Sequence, residues 1–132
     1  KLVKLITKYG LGNNIRLKNF KNSKNLYSKY DFSFLISNTE SFPMVILESI
    51  CEGTLCIASN VGDISKIITN RKFLIDNTRN INIHVKKIET LFDLRLDSKK
   101  YNKISSDFLL DVQKKFDLGI IYPKYYKFWS EL

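Results

Sequence analysis

The first half of the chain alternates short apolar runs, each about as long as a β-strand, with helix-sized segments. Alternation of this kind is typical of a parallel sheet whose strands are joined by crossover helices. The two central runs are apolar at almost every position, as expected for strands covered on both faces. We therefore predict an α/β fold with a parallel sheet of at least four strands. The four runs are residues 15–18, 32–36, 55–58 and 72–75, and the intervening candidate helices are residues 23–30, 43–52 and 63–68.

Beyond residue 76 the apolar residues recur at spacings of three and four, which predicts helices over residues 81–96, 100–116 and 119–131. We therefore predict one domain with two parts, a sheet-containing core over residues 1–76 and a helical segment over residues 77–132. The last predicted helix is aromatic almost all round and needs a partner surface. Its aromatic residues are Tyr122, Tyr125, Tyr126, Phe128 and Trp129.

Basic residues outnumber acidic ones, and the formal net charge is +9. Residues 1–30 contain eight Lys and Arg residues and no Asp or Glu, so the first quarter of the chain is a cationic surface. Such a surface suits an anionic lipid headgroup, nucleic acid or a phosphorylated ligand. The alternative is compositional, because the whole chain is rich in Lys, Asn and Ile, as an A/T-rich genome would encode.

Several classes of protein are excluded by simple counts. No apolar run approaches the roughly 18 residues that a membrane helix needs. Cys51 and Cys56 form no CxxC pair and His84 is the one histidine, so we predict no metal site and no disulfide, with both thiols reduced in the core of a cytosolic protein. We also predict no cofactor. Because the chain begins at Lys1 and its one methionine is Met44, we expect a piece of a longer polypeptide.

The segment 37–53 carries the strongest functional signal. This segment comes after an apolar strand and consists of a polar turn and then a helix. The helix begins at Pro43, because proline suits the first helical position. In a parallel sheet this turn lies at the carboxyl ends of the strands, where ligands bind. Backbone N–H groups at the start of the helix, together with its dipole, predict a phosphate site. The N–H groups belong to Ser41, Phe42, Met44 and Val45.

Glu48 is unusual because apolar residues flank it on both sides in a helix that is apolar nearly all round. A buried carboxylate needs a partner. No Lys or Arg lies one turn away, whereas Glu52 does and would repel it. The vicinal hydroxyls of a ribose would satisfy both carboxylate oxygens. The alternative is that Glu48 and Glu52 share the solvent edge of the helix.

Seven residues separate Glu40 from Glu48. The surrounding sequence runs in the order strand, turn, Phe-Pro, helix, Gly, strand and Val-Gly. This region closely resembles the E-x7-E region of GT-B retaining glycosyltransferases of the group 1, or family 4, type. The resemblance extends upstream over residues 11–31 and is weak after Asp76. It departs from the family at Ser41 and Asn19, where glycine is usual, and around residues 63–66.

The resemblance implies a Rossmann-like domain that binds a nucleoside-diphosphate-sugar. By that analogy Glu40 approaches the donor sugar as the catalytic residue and Glu48 holds the ribose, while Leu17 and Lys18 lie beside the base. The backbone of the turn contacts the diphosphate through Ser41, Phe42, Met44 and Val45. An N-terminal acceptor domain and a glycine-rich loop with an Arg and a Lys, which family members have, are not visible in this sequence. We therefore predict a partial C-terminal domain of a GT-B glycosyltransferase.

The predicted function is the donor-binding part of an enzyme that transfers sugar to a polysaccharide or glycolipid. We expect the chain to be inactive without its acceptor domain, to form a homodimer through exposed apolar surface, and to be cytoplasmic or peripheral on the inner face of an anionic membrane. Two alternatives stay open. One is a non-enzymatic module that binds nucleic acid. The chain lacks the interleaved aromatic and basic residues that such a module uses, which counts against this alternative. The other is an inactive glycosyltransferase relative.

Overall fold

The computed structural model describes residues 1–19, 24–76 and 80–131. Within these ranges three strands, β1 (Phe32–Leu35), β2 (Leu55–Ser59) and β3 (Leu74–Ile75), form one sheet in the order β1-β2-β3. Both pairings are parallel, with Phe32 opposite Leu55 and Ala58 opposite Leu74. The predicted α/β architecture with a parallel sheet is therefore confirmed.

Six α-helices and two short 3-10 helices complete the described chain. The predicted helix 81–96 forms at its predicted bounds, and the next two begin within two residues of theirs. Residue 23 lies outside the described residues, and the described remainder of the candidate helix 23–30 contains only a 3-10 turn. The helices are α1 (Leu2–Lys8), α2 (Met44–Cys51), α3 (Ile64–Ile67), α4 (Ile81–Leu96), α5 (Ser98–Phe116) and α6 (Leu118–Ser130), and the 3-10 helices are Tyr27–Lys29 and Arg71–Phe73.

The predicted strand 15–18 does not form, so the described sheet has three strands where we predicted at least four. A strand is stabilised by ladder hydrogen bonds and by burial of its side chains, and this segment has neither in the described part of the chain. Ile15 and Leu17 are 41% and 53% exposed. The predicted strand 72–75 shortens to Leu74–Ile75 because the Asn70 side chain accepts a hydrogen bond from the Lys72 N–H and starts a 3-10 turn.

The core lies between the sheet and the helices α2, α4 and α5. All five residues of β2 are buried, as its apolar run predicts. The ring of Phe73 meets that of Phe108 on α5 at 5.0 Å in an edge-on contact. Cys56 is buried in β2 but Cys51 is exposed. The prediction of two core thiols is therefore wrong for Cys51, because the buried face of α2 consists of Ile46, Leu47, Ser49 and Ile50.

Both ends of the chain expose apolar side chains. Neither α1 nor α6 contains a buried residue. Leu2 and Leu5 are exposed, as are the five aromatic residues singled out near the C-terminus. This exposure is as predicted, and the homodimer that it suggested stays a prediction. Among the residues described, no helix is both long enough and apolar enough to cross a membrane.

Candidate active site

The loops that follow the three strands are joined to one another at a single edge of the sheet. After β1, the Ser37 N–H donates to the Ser59 hydroxyl at the end of β2, at 3.1 Å. After β2, the Asn60 N–H donates to the Ile75 carbonyl of β3 at 2.7 Å, and its side chain donates to Asp76 at 3.0 Å. This edge is the carboxyl end of a parallel sheet, where the sequence placed the turn 37–43.

Glu40 is held at this edge by both its side chain and its backbone. The Ser37 hydroxyl donates to Glu40 Oε1 at 2.7 Å. Gly62 has a φ of +55°, and a Cβ built on it would lie 1.8 Å from the Glu40 carbonyl oxygen. The Asp63 N–H donates to the Ser41 carbonyl at 3.1 Å. The turn after β2 therefore supports the turn after β1, and only glycine fits at position 62.

The N-terminus of α2, at Met44, lies four residues after Glu40 and carries no side-chain cap in the described part of the chain. Pro43 is the N-cap residue, with a ψ of 109°, and not the first helical residue as predicted, because its extended backbone precedes the helical turn. The Pro43 carbonyl accepts the Ile46 N–H at 3.2 Å. The N–H groups of Met44 and Val45 therefore have no partner within the helix, and they lie at the positive end of the helix dipole.

The side chain of Phe42 has a packing role. Its ring contacts that of Phe116, the last residue of α5, in an edge-on arrangement at 5.2 Å. Met44 and Val45 are 58% and 43% exposed, so the first two residues of α2 lie at the surface. The structure thus brings Glu40, Ser41, Phe42, Met44 and Val45 together at one edge.

Glu48 of α2 and Glu52, the C-cap residue of that helix, are the two glutamates nearest its C-terminus. Glu52 Oε1 accepts the Asn25 N–H at 2.8 Å, and Oε2 accepts the Ser28 N–H at 3.1 Å. Both glutamates are half-buried, and the alternative in which they share the solvent edge of the helix stays a prediction.

Tyr27 is a residue of this site that sequence reasoning missed. Burial raises the pKa of its hydroxyl, and the negative charge of Glu48 raises that pKa further. Tyr27 therefore stays protonated across the neutral range. The one sequence signal was its place in the upstream run that resembles the family, which did not indicate that the charge of Glu48 acts on it.

Leu17 and Lys18 lie elsewhere. They line an open surface cavity of about 510 Å³ together with Asn14, Arg16 and Tyr30, and neither glutamate of the E-x7-E pair is among its lining residues. Arg16 and Lys18 make this cavity cationic. Their place beside a nucleotide base stays a prediction. Over the described ranges, no group of three or more His, Cys, Asp or Glu residues is arranged to hold a metal ion.

Comparison with known proteins defines the class. A family model described as Glycosyl transferases group 1 matches residues 1–107, and the chain belongs to this family. Its fold is similar to that of sucrose-phosphate synthase from Thermosynechococcus elongatus, with a TM-score of 0.82 and 19% sequence identity. The match covers 98% of this chain and 33% of that one, so this chain spans about a third of its length. A search of curated proteins finds no significant match.

These comparisons confirm the predicted family and the predicted fold, a mixed α/β domain of the kind found in GT-B glycosyltransferases. The roles assigned to individual site residues stay predictions.

Proposed function

We propose that this chain is the donor-binding part of a glycosyltransferase that transfers a sugar from a nucleoside-diphosphate-sugar to a polysaccharide or glycolipid acceptor. One observation carries this proposal. Glu40 and Glu48 flank the N-terminus of α2, which has no side-chain cap among the described residues, at the carboxyl edge of a parallel sheet in a chain of the glycosyl transferases group 1 family.

The diphosphate would lie at the start of α2. The N–H groups of Ser41, Phe42, Met44 and Val45 supply donors, and the helix dipole favours the negative charge. As the glycosidic bond to the diphosphate breaks, these donors stabilise the charge that develops on the leaving group. Electrostatic catalysis of this kind works without a histidine or a metal ion.

The two glutamates take different parts of the donor. Glu48 accepts hydrogen bonds from the ribose hydroxyls, and Glu40 approaches the donor sugar. The hydrogen bond from Ser37 fixes the direction in which Glu40 points. The cationic cavity lined by Leu17 and Lys18 would receive the base, and its positive charge would attract an anionic nucleotide.

The acceptor would bind to a separate domain outside these 132 residues. Transfer needs donor and acceptor held in one cleft from which water is excluded. We therefore expect the 132 residues to bind donor nucleotide without transferring sugar. The enzyme would act in the cytoplasm, in solution or at the inner face of the membrane.

Calorimetric titration of the full-length protein tests this function. We expect saturable binding of at least one of UDP, GDP and ADP and no saturable binding of a short single-stranded oligonucleotide. Release of the matching nucleoside diphosphate from a nucleotide-sugar in the presence of acceptor would complete the assignment. Tight oligonucleotide binding without nucleoside diphosphate binding would instead support the nucleic-acid module. Nucleotide binding without any transfer would support the inactive relative.

A further inference from the structure

A cavity of about 370 Å³ lies between α4, α5 and the 3-10 turn that precedes β3. This volume is within the range of small-molecule sites, roughly 300–1,000 Å³. Phe73 and Leu91 are buried whereas Lys72 and Lys100 are exposed, so apolar residues form the floor of the cavity and lysines form its rim. The full set of lining residues is Lys72, Phe73, Lys87, Thr90, Leu91, Leu94, Lys100 and Ile104.

This cavity lies at the amino end of the sheet. Phe73, in its lining, comes directly before Leu74, the first residue of β3. Close to the cavity along α4, the Arg95 guanidinium is paired with Asp31, which comes directly before β1. The candidate active site lies at the carboxyl edge of the same sheet. A ligand in this cavity would therefore leave the proposed donor site free.

The positive charge around the cavity has no carboxylate partner among the described residues. No Asp or Glu lines the cavity, and none of its three lysines forms an ion pair with a described residue. Asp97 is close to Lys100 in sequence, but its carboxylate accepts the Lys100 backbone N–H at 3.0 Å and caps α5. Three cations beside an apolar floor favour an anion that has an apolar part.

Lys87 is held in place within this cavity. Its ammonium group donates to the Arg71 carbonyl at 3.1 Å and to the Leu74 carbonyl. An ammonium group has three donors, so one N–H remains for a ligand. Because two hydrogen bonds already fix the group, a ligand would not need to order it on binding.

We propose that this cavity is a second ligand site, for a small phosphomonoester with an apolar body. The phosphate would lie among Lys72, Lys87 and Lys100, which match its charge of nearly −2 and its three acceptor oxygens. A carboxylate would bring only one negative charge to three cations. The apolar body would cover Phe73 and Leu91. This inference does not depend on the proposed function.

The site can be probed by calorimetric titration of the full-length protein with 1-naphthyl phosphate at low salt. Inorganic phosphate supplies the charge without the apolar body, 1-naphthol supplies the body without the charge, and 1-naphthoate carries a carboxylate on the same body. Each compound is titrated separately. These comparisons show whether both parts of the ligand are needed.

Two double variants test the place of binding. Lys72→Gln combined with Lys100→Gln removes two charges from the rim and keeps Lys87 with its hydrogen bonds. The matched control, Lys86→Gln combined with Lys99→Gln, removes the same charge from exposed neighbours on α4 and α5 that do not line the cavity. Circular dichroism verifies that both variants are folded.

We expect saturable binding of 1-naphthyl phosphate that is tighter than binding of the other three compounds. The rim variant should bind it about tenfold more weakly, and the control less than about threefold more weakly. An excess of UDP, GDP and ADP should not displace it. The proposal would be overturned by absent binding, by displacement, by equal losses in the two variants, or by tighter binding of any of the other three compounds. None of these results would count against the proposed donor site.

Discussion

The two ends of α2 are built in opposite ways. At its C-terminal end Glu52 accepts two backbone N–H groups, the Gly53 carbonyl accepts the Ser105 hydroxyl at 2.8 Å, and the buried Thr54 hydroxyl bridges two carbonyls. Its N-terminal end, after Pro43, carries no side-chain cap in the described chain and lies at the surface. We call the C-terminal end, at Glu52, Gly53 and Thr54, the fastened end of α2 and the N-terminal end, at Met44 and Val45, its open end.

The difference separates the end of α2 that stabilises the fold from the end whose backbone donors are available to a ligand. Hydrogen-bond donors at a helix N-terminus are usually satisfied by a side-chain cap, which is worth about 1 kcal/mol. A helix without this cap, whose other end is held by hydrogen bonds, leaves the N–H groups of its first turn free for a ligand. The fastened end holds α2 in place without occupying the groups that the ligand needs. The contrast between the ends is thus the structural basis for the proposed donor site.

The largest effect should come from Gly62→Ala, which removes the support of the open end. The new Cβ would collide with the Glu40 carbonyl at 1.8 Å, so the turn 37–43 must move. We expect a loss of about 3 kcal/mol in the free energy of unfolding, measured by urea denaturation, together with weaker nucleotide binding.

Gly10→Ala is the matched control for this variant. Gly10 also has a positive φ, of +64°, but its Cβ would meet nothing within 4 Å. It should cost about 1 kcal/mol, from backbone strain alone. Similar losses for the two variants would mean that the contact between Gly62 and Glu40 does not hold the site.

Met44→Pro removes one N–H from the open end. Met44 is the first helical residue, a position that accepts proline because its N–H has no partner within the helix, and Pro43 before it is already extended. We expect a roughly tenfold loss of nucleoside diphosphate affinity relative to Met44→Ala, with little change in stability. Equal affinities for the two variants would show that this N–H does not contact the diphosphate.

Thr54→Val tests the fastened end. The change keeps the side-chain shape and leaves the carbonyls of Tyr27 and Tyr30 without their buried donor. We expect a loss of about 1–2 kcal/mol in the free energy of unfolding. Thr90→Val on α4, where the exposed hydroxyl bonds within its own helix, should change stability by less than about 0.5 kcal/mol. Equal effects of the two substitutions would contradict the description of a fastened end.

Thiol labelling sharpens the comparison with the smallest perturbation. Burial raises the pKa of the Cys56 thiol to about 11, so at pH 8 this thiol is both shielded and protonated. Cys51 is exposed at the end of α2. We expect one thiol to react rapidly in the folded protein, two after denaturation, and none rapidly in folded Cys51→Ser. Rapid labelling of both native thiols would show that the turn between them opens readily.

The spacing of apolar residues within a short segment predicted the helices and strands whose form depends on that segment alone. Apolar spacing gave α4 its bounds, and a wholly apolar run predicted the buried β2. The segment 15–18 shows the limit, since its apolar residues resemble a strand but no described neighbour pairs with it. Sheet membership depends on a partner strand that composition does not reveal.

The candidate site divides in the same way. Glu40 and Glu48 were found because the motif is contiguous in sequence. The effect of the Glu48 charge on Tyr27 and the close approach of Gly62 to Glu40 were not found, because each joins segments that only the folded chain brings together. The same holds for Glu52, whose two bonds cross more than twenty residues of sequence.

Calorimetric titration of Glu48→Gln with nucleoside diphosphate tests the central claim most directly. The substitution keeps the shape of the side chain and removes its charge and one acceptor. Hydrogen bonds to a charged group are worth about 1.5–3 kcal/mol, so affinity should fall about tenfold or more, with little change in stability. Glu89→Gln, at an exposed position on α4, should bind as wild type does. Equal affinities for wild type and Glu48→Gln would contradict the proposal that the open end of α2 binds a nucleotide through Glu48.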